Sequence, residues 1–139
     1  MATDPPPPQS TMPNGVIPGL NLAGRSSEAS AFYQRAFGAR EVARIPSEDD
    51  PSLMMHVHLE LNGGAITLGD RHPDPDFRFQ PSSSYTFMVD VPDGQVWWDR
   101  AVAAGCEVLM PYKPMFWGAS FGQLKDPFGI QWAINSAGK

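Results

Sequence analysis

Two stretches decide the fold: residues 32–42, FYQRAFGAREV, and residues 97–108, WWDRAVAAGCEV, read as two versions of one unit. In each stretch, apolar side chains recur at helical spacing, and the run ends at a glycine, Gly38 or Gly105. Glycine suits the position that follows a helix because it adopts left-handed backbone angles without strain. A short alternating run follows each glycine and is typical of a strand. The sequence therefore predicts a repeated helix–strand unit.

The repeat extends on both sides of these stretches. Strand-like runs precede and follow each helix: VIPGLNLAG, MMHVHLELNG and GAITLGD in the first copy, SYTFMVDV, FGQLKD and IQWAIN in the second. We interpret the chain as two βαβββ modules, residues 15–72 and 82–137, joined by a linker at 73–81. Such modules make the fold class α+β. One module alone could not bury both its sheet and its helix, so the two modules must complete each other or be completed by a second chain. Residues 1–14 contain four consecutive prolines and are predicted to be a disordered tail.

Polar side chains suggest where each helix begins. Ser26 or Ser27 is predicted as the N-cap of the first helix, and Asp93 as the N-cap of the second, because short oxygen-bearing side chains accept hydrogen bonds from the first helical N–H groups.

Composition excludes several classes of protein. A formal net charge of -5, with no run of lysine or arginine, gives no field for nucleic acid. No apolar stretch is long enough for a membrane span, and the N-terminal residues lack the features of a signal peptide. The single cysteine, Cys106, excludes an intrachain disulfide and favours a reducing, cytoplasmic location. We interpret Cys106 as a packing thiol.

The stretch MMHVHLEL places His56, His58 and Glu60 at alternate positions, so these side chains share one face of a strand. Two imidazoles on one face could form part of a metal site, to which Glu60 or Asp90 would add oxygen ligands. The alternative is a strand that lines a cavity, where each histidine donates or accepts hydrogen bonds. We favour the cavity-lining strand.

Residues 111–122, PYKPMFWGASFG, combine prolines and glycines with large side chains, namely Tyr112, Met115, Phe116, Trp117 and Phe121. We expect an irregular loop that packs on its own domain or covers a ligand. Trp117 is the leading candidate for ligand stacking, because indole combines large area with an N–H donor. DPFG, residues 126–129, predicts a tight hairpin turn.

Four runs in a fixed order resemble the vicinal oxygen chelate superfamily, and most closely its PhnB-like branch: FYQRAFGA, MHVHLELNGGAITLGD, RAVAAGCEVLMP and FWGASFGQLKDPFGIQWAI. This superfamily includes glyoxalase I, bleomycin-resistance proteins and extradiol dioxygenases. The resemblance implies the glyoxalase/bleomycin-resistance fold, in which tandem βαβββ modules form cupped mixed sheets with a cavity in each, and usually a homodimer.

The resemblance also implies a divalent metal held by histidine and glutamate ligands, one from each of four strands. The matching positions here are Pro18, Thr67, Thr86 and Ala133. Proline and alanine have no side-chain donor, and neutral threonine is a poor ligand. We therefore expect no metal cofactor at the usual site.

The leading functional expectation is a small-molecule binding protein without the usual metal centre. Its ligand would be partly aromatic or apolar, and the expected contacts are His56, His58, Tyr112, Phe116, Trp117, Phe121 and Gln123. The alternative is a metal-dependent lyase, isomerase or dioxygenase with a relocated site on His56, His58 and Glu60. A third reading, a structural dimer module, predicts no accessible cavity. The sequence leaves open whether the protein turns over a substrate.

Overall fold

The computed structural model describes residues 15–137, so the predicted proline-rich tail, residues 1–14, lies outside the described residues. The elements follow the predicted order: β1 Gly19–Asn21, α1 Ser26–Phe37, β2 Arg40–Pro46, β3 Met54–Leu61, β4 Gly64–Gly69, β5 Phe87–Asp90, α2 Gly94–Ala104, β6 Glu107–Pro114, β7 Ala119–Lys125 and β8 Gln131–Ala137. The tandem βαβββ arrangement is confirmed. No helix in this part of the chain is both long and apolar enough to cross a membrane.

Each module forms its own four-stranded mixed sheet. The strand order is β1-β4-β3-β2 in the first and β5-β8-β7-β6 in the second, so the two sheets have the same topology. In each sheet the first strand pairs parallel with the last strand of its module. The register makes positions equivalent between the sheets: His58 lies opposite Thr67, just as Gln123 lies opposite Ala133.

Alternation along the strands separates a helix-facing side from an open face, which is the name used below for the side that points away from the helices. The helix-facing side chains are buried: Val57, Leu59, Leu61, Ile66 and Leu68 in the first sheet, Val89, Leu124, Trp132 and Ile134 in the second. The open faces carry partly or fully exposed side chains: Ile45, His56, His58, Glu60 and Thr67 in the first sheet, Met88, Asp90, Phe121, Gln123 and Asn135 in the second. The predicted assignment of faces is confirmed for these strands.

The two helices lie between the two sheets. Helix α1 packs against β2, β3 and β4, α2 packs against β6, β7 and β8, and the helices contact each other. The ring of Phe37 on α1 stacks on Trp132 of β8 at 4.4 Å between centroids, and Tyr33 lies 5.3 Å from the same indole. One apolar core therefore joins the modules, and the two open faces point away from each other.

Helix α1 does not begin as predicted. Ser26 is the first helical residue, and the N-cap position falls on Arg25, whose side chain makes no capping bond. The capping acceptor comes instead from the end of β4, where Oδ1 of Asp70 accepts hydrogen bonds from the N–H and hydroxyl of Ser26. Asp93 does occupy the N-cap position of α2, but it too makes no side-chain capping bond. Tertiary structure, not local sequence, caps α1.

The predicted turns form with the expected backbone angles. Gly38 ends α1 in the left-handed region, with φ 66°. Asn62 and Gly63 join β3 to β4 with φ values of 50° and 79°, as a two-residue hairpin turn requires. The DPFG turn joins β7 to β8 through a hydrogen bond from Gly129 N–H to the Asp126 carbonyl.

The prediction for residues 111–122 was wrong over most of its length. Strand β6 continues to Pro114 and β7 begins at Ala119, which leaves only residues 115–118 between them. Strand β6 tolerates Pro111 and Pro114 because it is an edge strand, where a missing N–H leaves no neighbour unpaired. Irregular register between β6 and β7 absorbs the remaining distortion.

Candidate functional site

The open face of the first sheet carries the two histidines predicted from the sequence. The rings of His56 and His58 lie 4.7 Å apart between centroids and are tilted by 59°. Across the neighbouring strand, His56 faces Ile45 and His58 faces Ala43. Burial lowers the pKa of His58, and repulsion from His56 lowers it further. His58 is therefore neutral at physiological pH and can both donate and accept a hydrogen bond.

Glu60 is engaged away from the histidines. Its carboxylate pairs with the guanidinium of Arg40 on β2 at 3.1 Å, directly across the strand pair. This ion pair occupies the Glu60 carboxylate. No group of three histidine, cysteine, aspartate or glutamate side chains suited to a metal ion occurs among residues 15–137.

A cavity of about 580 Å³ opens beside His56. Its walls come from the end of β2, the loop that follows it and the start of β3: Ile45, Pro46, Ser47, Glu48, Asp49, Met55 and His56. Arg71, which follows β4, holds this loop by donating hydrogen bonds to Ser47 and Asp49. The first open face thus continues into an accessible hollow that has apolar and polar walls and is built by the first module alone.

The open face of the second sheet combines aromatic and amide side chains. Phe121 and Gln123 project from β7, and Trp117 lies at the β6–β7 turn with its ring 5.8 Å from that of Phe121. Phe116 is 97% exposed and Trp117 51% exposed, so neither is part of the core. Of the two readings of this segment, packing onto its own domain does not describe these two rings.

Tyr112 does not join this group. Its ring stacks on Trp98 of α2 at 5.6 Å, on the helix-facing side of the sheet. Gly94 leaves space for the phenol, since a Cβ at that position would lie 2.2 Å from the Tyr112 oxygen. The irregular register of β6 turns this side chain away from Phe121 and toward α2.

The four expected metal-ligand positions do not fit the chelate of the superfamily. The register sets Gly19, not Pro18, beside Thr67, and Met88 beside Ala133. Thr86 precedes β5 and lies two residues before Met88. None of these positions offers an imidazole or a carboxylate, which are the ligands that the chelate requires. A groove of about 320 Å³ between the modules, partly lined by Pro18, Ile66, Thr86 and Met88, is correspondingly apolar.

One polar pair on the second open face was not predicted as a pair. The amide of Asn135 on β8 donates a hydrogen bond of 2.9 Å to Oδ1 of Asp90 on β5. The strands are parallel neighbours, and these residues lie directly opposite each other. Alternation in the sequence places each side chain on its face, but only the register reveals the pairing of residues so far apart in the chain.

The repeated sheets, the helices between them and an open face with hydrogen-bonding groups define a protein of the paired βαβββ class. The model of the Glyoxalase/Bleomycin resistance protein/Dioxygenase superfamily matches residues 22–134, and the chain belongs to this superfamily.

Similar proteins agree with this assignment. Protein YjdN of Escherichia coli is 30% identical over 141 residues, which cover 86% of this chain and 93% of YjdN. The crystal structure of protein PA1353 from Pseudomonas aeruginosa is similar with a TM-score of 0.73 and 27% identity, over 90% of this chain and 98% of that one. A PhnB protein from Bacillus cereus, described as a putative 3-demethylubiquinone-9 3-methyltransferase, has a TM-score of 0.70 at 21% identity, over 89% of this chain and all of that one (100%).

Proposed function

We propose that the protein is a small-molecule binding protein whose ligand lies in a cup shared between two copies of the chain. Each cup would consist of the first open face of one copy and the second open face of its partner. The ligand would contact His56 and His58 on one wall and Trp117, Phe121 and Gln123 on the other. No metal ion takes part in this proposal.

The observation that carries the proposal is the separation of the candidate residues within one chain. The histidines lie on one sheet and the Phe121–Gln123 group on the other. The opposite face of each sheet packs against the helices between them. A single copy therefore offers two incomplete walls. A second copy can place the missing wall opposite each, because both sheets have the same strand order and register.

Edge strands give such an assembly a place to form. β1 and β5 are the first strands of their modules, and each lies at an edge of its sheet. Edge strands expose backbone N–H and C=O groups that readily pair with another chain. Juxtaposing β1 of one copy with β5 of the other would extend each sheet across the dimer and curve it around the ligand.

The chemistry of the two walls supports binding of a partly aromatic ligand. Exposed indole and phenyl rings supply apolar contact area, and the histidines and Gln123 supply a few oriented polar groups. The cavity beside His56 shows that the first face is accessible, which disfavours a purely structural module with a filled core. The absence of carboxylate and imidazole groups from the expected metal positions supports binding that does not depend on metal.

A fluorescence screen of metal-depleted protein tests this proposal. Ligands from a library of aromatic compounds should quench or shift the emission of Trp117 saturably, and Trp117→Phe should abolish that signal. The matched control is Trp97→Phe, because Trp97 lies on α2, where Arg100 covers its ring at 4.5 Å, and should not sense the cup. Conversion of a bound compound that stops on chelation and returns with a divalent metal would contradict the proposal and favour the metal-dependent enzyme.

A further inference from the structure

We propose that Asp90, Asn135, Phe121 and Trp117 form a subsite for an organic cation carried on a planar aromatic frame. This inference rests on the proposed function, because it assigns a ligand class to one wall of the cup. A cationic N–H group of the ligand would bind the Asp90 carboxylate, and the aromatic frame would lie against Phe121 and Trp117.

The geometry places these side chains in one row across the second open face. Asp90 on β5 lies opposite Asn135 on β8, and Asn135 lies opposite Phe121 on β7. Neighbouring strands are about 4.8 Å apart, so Asp90 and Phe121 are separated by roughly 10 Å, the length of a fused tricyclic ring system. Trp117 extends the row beyond Phe121 at 5.8 Å between ring centroids.

Asp90 is held in place but keeps acceptor capacity. Its Oδ1 accepts a hydrogen bond from the Asn135 amide, and its backbone carbonyl accepts one from the side chain of Asn62 at 3.1 Å. Within the described part of the chain, Oδ2 has no such partner, and the side chain is exposed. A cationic N–H group can therefore bind Oδ2 and the amide oxygen of Asn135 together.

The charge at the Asp90 end of this face favours a cation. Asp90 forms none of the ion pairs found among residues 15–137. The lysines of the same sheet lie farther along it from Asp90. Lys113 on β6 is opposite Phe121 and three strands from Asp90, about 14 Å away. Lys125 pairs with Gln131, four residues along β8 from Asn135. An unpaired carboxylate beside electron-rich ring faces attracts organic cations through both charge and cation–π contacts.

Three acridines of the same shape and different charge test the proposal on the full-length protein. At neutral pH 9-aminoacridine is a cation, acridine is neutral and acridine-9-carboxylate is an anion. We expect 9-aminoacridine to bind about tenfold more tightly than acridine, as a charge-assisted hydrogen bond allows, and the carboxylate to bind least. Titration calorimetry measures all three without a variant.

Matched variants assign the preference to Asp90. Asp90→Asn, nearly isosteric, should bring the affinity for 9-aminoacridine down to that for acridine. Asp99→Asn removes the same charge from the exposed side of α2, where Asp99 accepts a hydrogen bond from Gln95, and should leave both affinities unchanged. Trp117→Leu should weaken both dyes by a similar factor, since it removes contact area and not charge.

Other results would overturn the proposal. Equal binding of acridine and 9-aminoacridine that still depends on Trp117 would refute the cation subsite and leave the aromatic cup intact. If Asp99→Asn weakened the binding of 9-aminoacridine as much as Asp90→Asn, the preference for the cation would come from the net charge of the protein and not from the subsite. The absence of saturable binding by any of the three acridines would also contradict the proposal. If binding depended on Asp90 but the open faces of two copies did not meet, the subsite would lie on the second open face alone. That result would support the subsite and refute the shared cup.

Discussion

Asp126 shows how a single buried side chain joins the two modules. The carboxylate is 3% exposed. Its Oδ1 accepts the backbone N–H groups of Phe128 and Ile130, and its Oδ2 accepts the Tyr33 hydroxyl at 2.6 Å and the Trp132 indole N–H at 2.9 Å. Burial raises the pKa of Asp126, against the opposite effect of these hydrogen bonds. Because Tyr33 belongs to α1, its hydrogen bond to Asp126 joins the DPFG turn of the second module to the helix of the first.

Asp126→Asn should destabilise the protein by about 1–3 kcal/mol, the typical cost of a buried polar group without a partner. An amide cannot accept from all four donors, so at least one N–H must face the new NH₂ group. Urea unfolding measures the loss.

In a Trp132→Phe background, Asp126→Asn should lower the free energy of unfolding by less, because the indole N–H that would face the new NH₂ group is gone. Equal losses in the two backgrounds would show that the indole N–H is not coupled to Asp126.

The pKa of His58 reports on its neighbour. NMR titration should give His58 a pKa below the ordinary histidine value, and His56→Ala should raise it, because repulsion from a protonated His56 disappears. An unchanged value in the variant would contradict the close pairing of the rings.

The same shift makes stability depend on pH. The folded protein takes up the His58 proton less readily than the unfolded chain does. The free energy of unfolding is therefore highest above the ordinary histidine pKa of 6.5, and it decreases as the pH falls below that value. His58→Gln should reduce that decrease, as measured by urea unfolding across the acidic range.

At the scale of elements, the two helices differ in how their first N–H groups are capped. Asp70 accepts hydrogen bonds from Gly24, Ser26 and Met54, and so ties the start of α1 to β3 and β4. Asp93 stands at the start of α2 without a side-chain capping bond.

These two aspartates provide a matched pair of substitutions. Asp70→Ala should cost about 2 kcal/mol, the upper range for loss of a helix cap, because several N–H groups lose their acceptor together. Asp93→Ala should cost less than about 1 kcal/mol, since only the helix dipole is affected. Equal losses in urea unfolding would contradict the difference in capping.

Local pattern explains how much of these elements could be predicted. Alternation along β3, β4 and β8 assigns their faces correctly, because a strand repeats every two residues whatever surrounds it. The cap from Asp70 could not be predicted, since it bonds Ser26 from 44 positions away. The extent of β6 was missed for a related reason: its prolines are acceptable only at a sheet edge, and the sequence does not show which strand is the edge.

At the scale of the whole molecule, the sequence predicted the candidate residues better than their arrangement. His56, His58, Phe121 and Gln123 all lie on open faces, but on different ones. Their separation follows from the packing of α1 against α2 and Trp132, which no local pattern encodes. A shared cup between two copies is the arrangement we propose to reunite them.

Distances between spin labels test the shared cup most directly, because they require no ligand. One copy carries a label at His58→Cys and the other at Gln123→Cys. The native thiol should escape labelling, since Cys106 is buried and its pKa is raised to about 12 by that burial. Chains labelled at both sites and diluted with unlabelled protein give the distance within one copy. The shared cup predicts a distance between copies that is shorter than the distance within a copy; no signal between copies, or a longer distance, would contradict it.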